Sequence, residues 1–262
     1  MRETPLLNVM RRAAERAAKA LRRDFGEVHA LQVSRKGPAD FVSRADTRAE
    51  QILQRELQTA RPDYGFLMEE SGHIPNPKSN RTWVIDPLDG TSNFLHGIPH
   101  FAISVALREE ERLIAAFVLQ PLTGERFSAE LGLGAFCNDR RMRVAARKNP
   151  EDTLIATGFP FLGHDDFEPV HNDIRAVMPK TAGLRRFGAA ALDLAWVADG
   201  RFDAFWQRHL KPWDWAAGAL LVQEAGGLVT EAGGKSLKPD SPSILAANEP
   251  IHRWMLETLP PQ

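Results

Sequence analysis

The chain has one cysteine, Cys137, in 262 residues. A lone thiol excludes an internal disulfide and fits a reducing compartment. An excess of either charge is also lacking. Lys and Arg total 33 against 34 Asp and Glu, for a formal net charge of −1, so no global field steers the chain to nucleic acid or a membrane. Apolar runs such as 101–107 are far shorter than the ~20 residues a bilayer span needs. The N-terminus reaches charge at once and shows no uninterrupted apolar core of a secretory signal, so cytoplasmic is the expected location.

What is there suits an ordinary enzyme. Hydrophobic residues make up 43%, ample for a core, and the length allows one large domain or two halves sharing an interface. The run Asp139-Arg140-Arg141-Met142-Arg143 to Arg147-Lys148-Asn149-Pro150 marks the expected seam, which gives halves 1–145 and 146–262 within one compact catalytic unit. Residues 5–23 carry Leu6, Met10, Ala13, Ala14, Ala17 and Leu21 on one side, an amphipathic helix. Its basic side offers an RNA or lipid contact, although a solvated face of a packed helix is the favoured reading. Ala49, Ile52, Leu53 and Leu57 predict a second helix, with Thr47 and Glu50 spaced as a capping box. Residues 32–43 read as a loop or hairpin-like turn. Segments 101–108 and 112–120 predict an antiparallel hairpin, which 123–129 extends. Strands are expected at 153–157 and 202–206, and helices at 166–177 and 189–198.

The chemistry concentrates in Trp83-Val84-Ile85-Asp86-Pro87-Leu88-Asp89-Gly90-Thr91-Ser92-Asn93-Phe94. An apolar run reads as a buried strand ending in Asp86, where Pro87 is expected to stop pairing. Asp89 follows, and Gly90 to Asn93 open a helix with free N–H groups aimed at an anion. Two carboxylates at a strand end beside an amide-rich turn suit hard cations bridging to a phosphate. Asp-Pro and Asp-Gly are also ordinary turn dipeptides, so two further acidic features decide the reading. Phe66-Leu67-Met68-Glu69-Glu70 delivers another carboxylate to a strand end. Lys211-Pro212-Trp213-Asp214-Trp215-Ala216-Ala217-Gly218 starts a helix with Asp214 between two tryptophans, where an unpaired carboxylate is costly. His164, Asp165, Asp166, His171 and Asp173 look metal-like in composition but read as a loop and helix cap.

Together these three motifs, with Lys36-Gly37-Pro38-Ala39-Asp40-Phe41-Val42-Ser43, resemble the inositol monophosphatase family of magnesium-dependent, lithium-sensitive phosphatases. The resemblance covers nearly the whole chain. It implies an α/β fold, a five-layered α-β-α-β-α sandwich of the sugar-phosphatase type, and a homodimer. It also implies two or three Mg²⁺ ions: Glu69, Asp86 and the Leu88 carbonyl on one, Asp86, Asp89 and Asp214 on a second, and Glu69 through water on a third. The family's mobile loop corresponds to residues 36–43, with Asp40 and Thr91 orienting the attacking water and Glu69 completing the catalytic set. Phosphate oxygens are expected on the Gly90 and Thr91 amides, and the substrate's alcohol near Asp89, Gly188, Ala189, Ala190, Gln207 and Asp214.

Mg²⁺ chemistry answers the problem of a phosphate monoester, which repels nucleophiles and hydrolyses extremely slowly unaided. Three departures from the family pattern stand out. Gln207 replaces a Glu that accepts hydrogen bonds from ring hydroxyls in inositol-cleaving members; it keeps an acceptor, loses the charge and adds donors. Met68 replaces a Gly, and Ser92 a common Thr. The expected activity is hydrolysis of inositol-1-phosphate. Fructose-1,6-bisphosphate, histidinol phosphate and adenosine bisphosphate are the alternatives within the class. A different class of reading is a regulatory protein that contacts RNA or the transcription machinery, which the balanced charge disfavours as a sole role.

Overall fold

The structure, a computed structural model, describes residues 4–27, 33–35, 41–159 and 167–260, and for 33–35 and 41–43 the backbone alone. Strands β1 (Val33–Arg35) and β2 (Phe41–Ser43) pair antiparallel, and residues 36–40 of the expected hairpin-like turn lie outside the described residues. Asp40 lies outside the described residues.

Helix α1 (Pro5–Gly26) starts where Thr4 accepts a hydrogen bond from the Leu7 amide and Pro5 needs no partner for its missing N–H. Helix α2 (Arg44–Ala60) begins three residues before Thr47. The expected capping box therefore does not form, because Thr47 and Glu50 sit inside the helix. Strands β3 (Gly65–Met68), β4 (Gly72–Ile74) and β5 (Arg81–Asp89) follow, then the short helix α3 (Thr91–Leu95). Pro87 does not end its strand. The ladder to the next strand runs through Asp86, shifts register, and resumes at Asp89, so Pro87 occupies the irregularity where its missing N–H breaks no bond.

Strands β6 (Ala102–Glu109), β7 (Arg112–Leu119) and β8 (Arg126–Glu130) form the expected antiparallel meander, and β9 (Gly134–Cys137) and β10 (Arg140–Arg141) complete it. The resulting eight-stranded sheet has the order β10-β9-β8-β7-β6-β5-β3-β4. In the second half come β11 (Leu154–Thr157), α4 (Glu168–Val177), β12 (Gly183–Arg185), α5 (Ala190–Ala198), β13 (Ala204–Arg208), α6 (Pro212–Glu224), β14 (Leu228–Thr230), β15 (Ser243–Ala247) and α7 (Glu249–Thr258). Their five strands order as β12-β11-β13-β15-β14. The strand expected at 202–206 is shifted two residues on, since Asp203 is taken up in capping β11: its carboxylate accepts from the Leu154 amide at 2.8 Å.

Five layers result. One core cluster joins α1 and α2 to one face of the large sheet through Leu7, Met10, Leu53, Leu57, Trp83 and Ile85. A second puts α5 and α6 between the sheets, with Val84 and Phe127 on one side and Phe205 and Ala246 on the other. A third packs α4 and α7 on the outer face of the small sheet. Each fully buried Leu, Ile or Phe contributes roughly 1.5–3 kcal/mol. Apart from Asp193 in α5 and the polar ends of α6, both helices are apolar on every face, as helices buried on both sides must be.

The basic residues of α1 are largely engaged within the fold. Arg11 pairs with Glu15, Arg16 with Glu56, and Arg22 donates to the Pro121 carbonyl. Arg140 and Arg147 of the seam pair with Asp199 and Asp203.

Candidate active site

The site forms where parallel pairing and the central helices bring strand ends and helix starts together. Strand β3 runs parallel to β5 with Met68 opposite Ile85 as their last pair, so the next residues, Glu69 and Asp86, come side by side where that pairing ends. The Glu69 amide donates to the Ile85 carbonyl at 3.3 Å. Glu50, buried on α2, holds the following turn: its carboxylate accepts from the Glu70 amide at 2.9 Å and from the Ser71 hydroxyl. This is the use the interior Glu50 finds in place of a helix cap.

Beyond Asp86 the chain turns on its own hydrogen bonds. The Leu88 amide donates to Asp86 Oδ1 at 2.9 Å. Asp89 receives the first amides of α5, Ala190 at 3.1 Å and Ala191 at 2.8 Å, so this helix start is spent on a protein carboxylate. Gly90 has φ 91°, and a Cβ there would meet the His100 and Gly188 carbonyls at 3.1 and 3.3 Å. Only glycine fits a left-handed residue this closely packed. Asn93 then bridges two loops, its amide nitrogen donating to the His100 and Phe187 carbonyls at 2.8 Å each. Asp214, in the first turn of α6, accepts from the Lys211 amide at 2.7 Å.

These carboxylates strain one another. Burial first, then Asp46 and Asp214, raise the Glu69 pKa well above the ordinary range. Asp86 is raised likewise, by burial and then by Glu69 and Asp89. Asp89 is pushed up to about 8 by burial and then Asp214, against the opposing effect of the α5 amides. Asp214 is pushed up to about 6 by burial, which the Lys211 amide and charge oppose. A crowded, desolvated set of carboxylate oxygens fits hard divalent cations, whose charge would relieve the repulsion. Ligand atoms of Asp46, Glu69 and Glu70 lie within 4.8 Å of one another.

Asp46 is one residue that the sequence reading missed. It is buried in the first turn of α2, and its Oδ2 lies 3.3 Å from Thr91 Oγ1, which also donates to the Leu88 carbonyl at 2.9 Å. Its signal was available: an acid three residues beyond Ser43, just past the block 36–43 that shares in the family resemblance. Asp193 was missed as well. It is buried in α5 and its pKa is raised well above the ordinary range by burial and then by Asp89, with Arg186 opposing. A lone acid in the apolar run 190–198 was a legible signal.

An open cleft of about 210 Å³ adjoins this cluster, with Asp89, Gly90, Thr91, Gly188, Ala190, Gln207 and Asp214 on its walls. Ala189 is fully buried beneath Gly90. The Gln207 amide lies against Gly158, where a Cβ would come within 1.9 Å of its Oε1. Asp173, which lay in the discounted metal-like group, is buried in an ion pair with Arg208, Oδ2 to Nε 2.7 Å, and also accepts from Trp206 Nε1 at 3.2 Å. It thus braces the strand that carries Gln207.

A sequence model of the inositol monophosphatase family matches residues 2–260. The chain belongs to that family. Among similar proteins is an inositol-1-monophosphatase of Rhizobium meliloti (strain 1021), 52% identical over 99% of this chain and 97% of its own length. The Nus factor SuhB of Pseudomonas aeruginosa is 44% identical over 98% of this chain and 96% of its own. The solved extragenic suppressor protein suhB from Bartonella henselae superposes with a TM-score of 0.95 at 50% identity, covering 98% of each chain. The five-layered sandwich is thus the fold of this family. Among the described residues no helix is long and apolar enough to cross a membrane.

Proposed function

We propose that this chain is a Mg²⁺-dependent phosphomonoester hydrolase with inositol-1-phosphate as its preferred substrate. The observation that carries the reading is the convergence of Asp46, Glu69, Asp86, Asp89 and Asp214 beside the Gly90–Thr91 turn, at the edge of an open cleft. Glu69, Asp86 and the Leu88 carbonyl would hold one ion, and Asp86, Asp89 and Asp214 a second, with Glu69 reaching a third through water. Bound there, Mg²⁺ supplies positive charge against the phosphate and acidifies water.

The chain's own residues do the positioning. Thr91 orients the attacking water through its hydroxyl, whose single proton turns from the Leu88 carbonyl to Asp46 Oδ2. A Thr hydroxyl is a weak base, so its part is relay and alignment. The Gly90 and Thr91 amides bind phosphate oxygens. Gly188, Ala190 and Gln207 face the alcohol, and Asp214 lies within reach of one of its hydroxyls. Ala189 supports Gly90 from below. Asp40 keeps its proposed share in water orientation. The halves 1–145 and 146–262 act as one catalytic unit, because Asp214 comes from the second and the other carboxylates from the first.

The name of the 52% identical relative supports the substrate class. Phosphate release from a panel of monophosphates, with and without Mg²⁺ and with added Li⁺, tests it. The reading expects Mg²⁺-dependent, Li⁺-inhibited release led by inositol-1-phosphate. Release led by fructose-1,6-bisphosphate, histidinol phosphate or adenosine bisphosphate would move the substrate, and no release at all would overturn the hydrolase.

A second role with the transcription machinery is favoured by one observation, the similarity to a protein named a Nus factor. Asp86→Asn separates the two, since a binding role survives it and hydrolysis does not. The homodimer belongs to the same reading. Ile98, Phe159 and Phe187 are large apolar side chains 48%, 40% and 37% exposed, and light scattering at micromolar concentration reads the mass.

A further inference from the structure

We propose that a second cleft, sharing no lining residue with the catalytic one, binds a small organic carboxylate that carries an apolar body. This cleft of about 210 Å³ lies between the β6–β7 hairpin and α6, and Arg108, Arg112 and Lys238 bring three cations to it against the single carboxylate of Glu111. Strand alternation explains the imbalance. Glu109, next to Arg108 on β6, points to the opposite face and is taken by Arg81 at 2.9 Å. Among the described residues no carboxylate reaches ion-pair distance of Arg108, Arg112 or Lys238.

Arg108 carries the chemistry. Its Nε is closed off from solvent and has no hydrogen-bond partner, while its side chain lines the cleft. A guanidinium that has lost water on one edge gains most from a charged acceptor on the other, and a carboxylate matches its planar fork. Apart from Gln223, the rest of the wall is apolar. Leu113, Leu237 and Trp215 line it, and the Trp215 indole is tied by its Nε1 to the Ser241 carbonyl at 3.2 Å, which fixes the ring. The charge selects an anion, and the leucines and indole select a hydrocarbon or aryl body of small size.

The test uses 3-phenylpropionate and its neutral amide, 3-phenylpropionamide, followed by saturation-transfer NMR on the full chain in EDTA. EDTA removes divalent cations that could hold the carboxylate at the catalytic cleft. Because Arg186 lines that cleft, loss of binding in the Arg108 variant is what assigns the signal to the second one. The carboxylate is expected to bind at least tenfold tighter than the amide. Arg108→Gln should weaken it at least tenfold, and Lys238→Ala, at an exposed rim, about threefold. Should Arg108→Gln unfold, the Arg112→Ala/Lys238→Ala double variant decides by the same tenfold criterion. No binding to the wild type, equal binding of acid and amide, or binding unchanged in these variants would overturn the proposal.

Discussion

Asp46 and Thr91, on different helices and 45 residues apart in sequence, meet with Oδ2 and Oγ1 3.3 Å apart. If the pair aligns the attacking water, each partner contributes to the chemical step and little to substrate affinity. Thr91→Ala and Asp46→Asn should each lower kcat about 10²-fold, the low end for a positioned proton acceptor, with KM within about threefold. The double variant should cost scarcely more than either single one. Additive losses would show that the two residues act separately.

Asp86 stands at the centre of the carboxylate cluster, with Glu69 and Asp89 as its strongest neighbours. Asp86→Asn removes a charge and keeps the shape, and its Oδ1 can still accept from the Leu88 amide. Mg²⁺-dependent phosphate release is expected to fall below detection, at least about a thousandfold, while circular dichroism stays unchanged. Retained activity would remove Asp86 from the metal site.

The cluster also makes the metal-free protein pH-sensitive in a definite direction. Raised folded pKa values mean that the folded state holds protons which the unfolded chain, with carboxylates near about 4, has released. Stability is therefore fully present at low pH and lost as pH rises through the folded values, about 6 for Asp214 and about 8 for Asp89. In EDTA the Tm should fall by several degrees from pH 6 to pH 8.5. Asp89→Asn should flatten that slope, and Mg²⁺ should raise the Tm most at the alkaline end. A Tm that rises with pH over this window would contradict the mutual repulsion.

Gln207 tests substrate choice apart from hydrolysis. Restoring the acid with Gln207→Glu should lower KM for inositol-1-phosphate severalfold, the worth of about 1 kcal/mol for a hydrogen bond gaining charge. Turnover of p-nitrophenyl phosphate, which has no ring hydroxyls, should not change. An equal effect on both substrates would place residue 207 outside alcohol recognition.

The seating of α5 against α6 brings the Ala190 and Ala191 amides that hold Asp89 to the same site as Asp214, and Gly218 allows it. A Cβ at Gly218 would lie 2.4 Å from Leu194 Cβ. Gly218→Ala is expected to destabilise by about 1–3 kcal/mol, the cost of overpacking, despite its better helix propensity. Urea denaturation reads this as a lower midpoint at constant m. A stabilised variant would show that the helices can part without cost.

The carboxylates at strand ends were legible because they are local. A run such as 83–89 carries its strand, its turn and its two acids within one stretch of chain, and the Pro212 start places Asp214 by the same short-range logic. The period of apolar residues gave α1 and α2 in outline. Where the reading slipped, a distant group had taken over. Pro87 stayed in its strand because the ladder to β6 shifts register around it. Glu50 left its cap because the Glu70–Ser71 turn uses its carboxylate. Asp203 left β13 for the Leu154 amide.

The amino-acid order alone thus determined the family, the layered α/β fold and the local motifs that supply Glu69, Asp86, Asp89 and Asp214. Tertiary structure decided which other residues join them. Asp46 reaches Thr91 only because α2 packs across β5, and Asp193 sits near Asp89 only because α5 lies between the sheets. Such contacts arise from burying apolar faces far apart in sequence, and no spacing within a single segment encodes them.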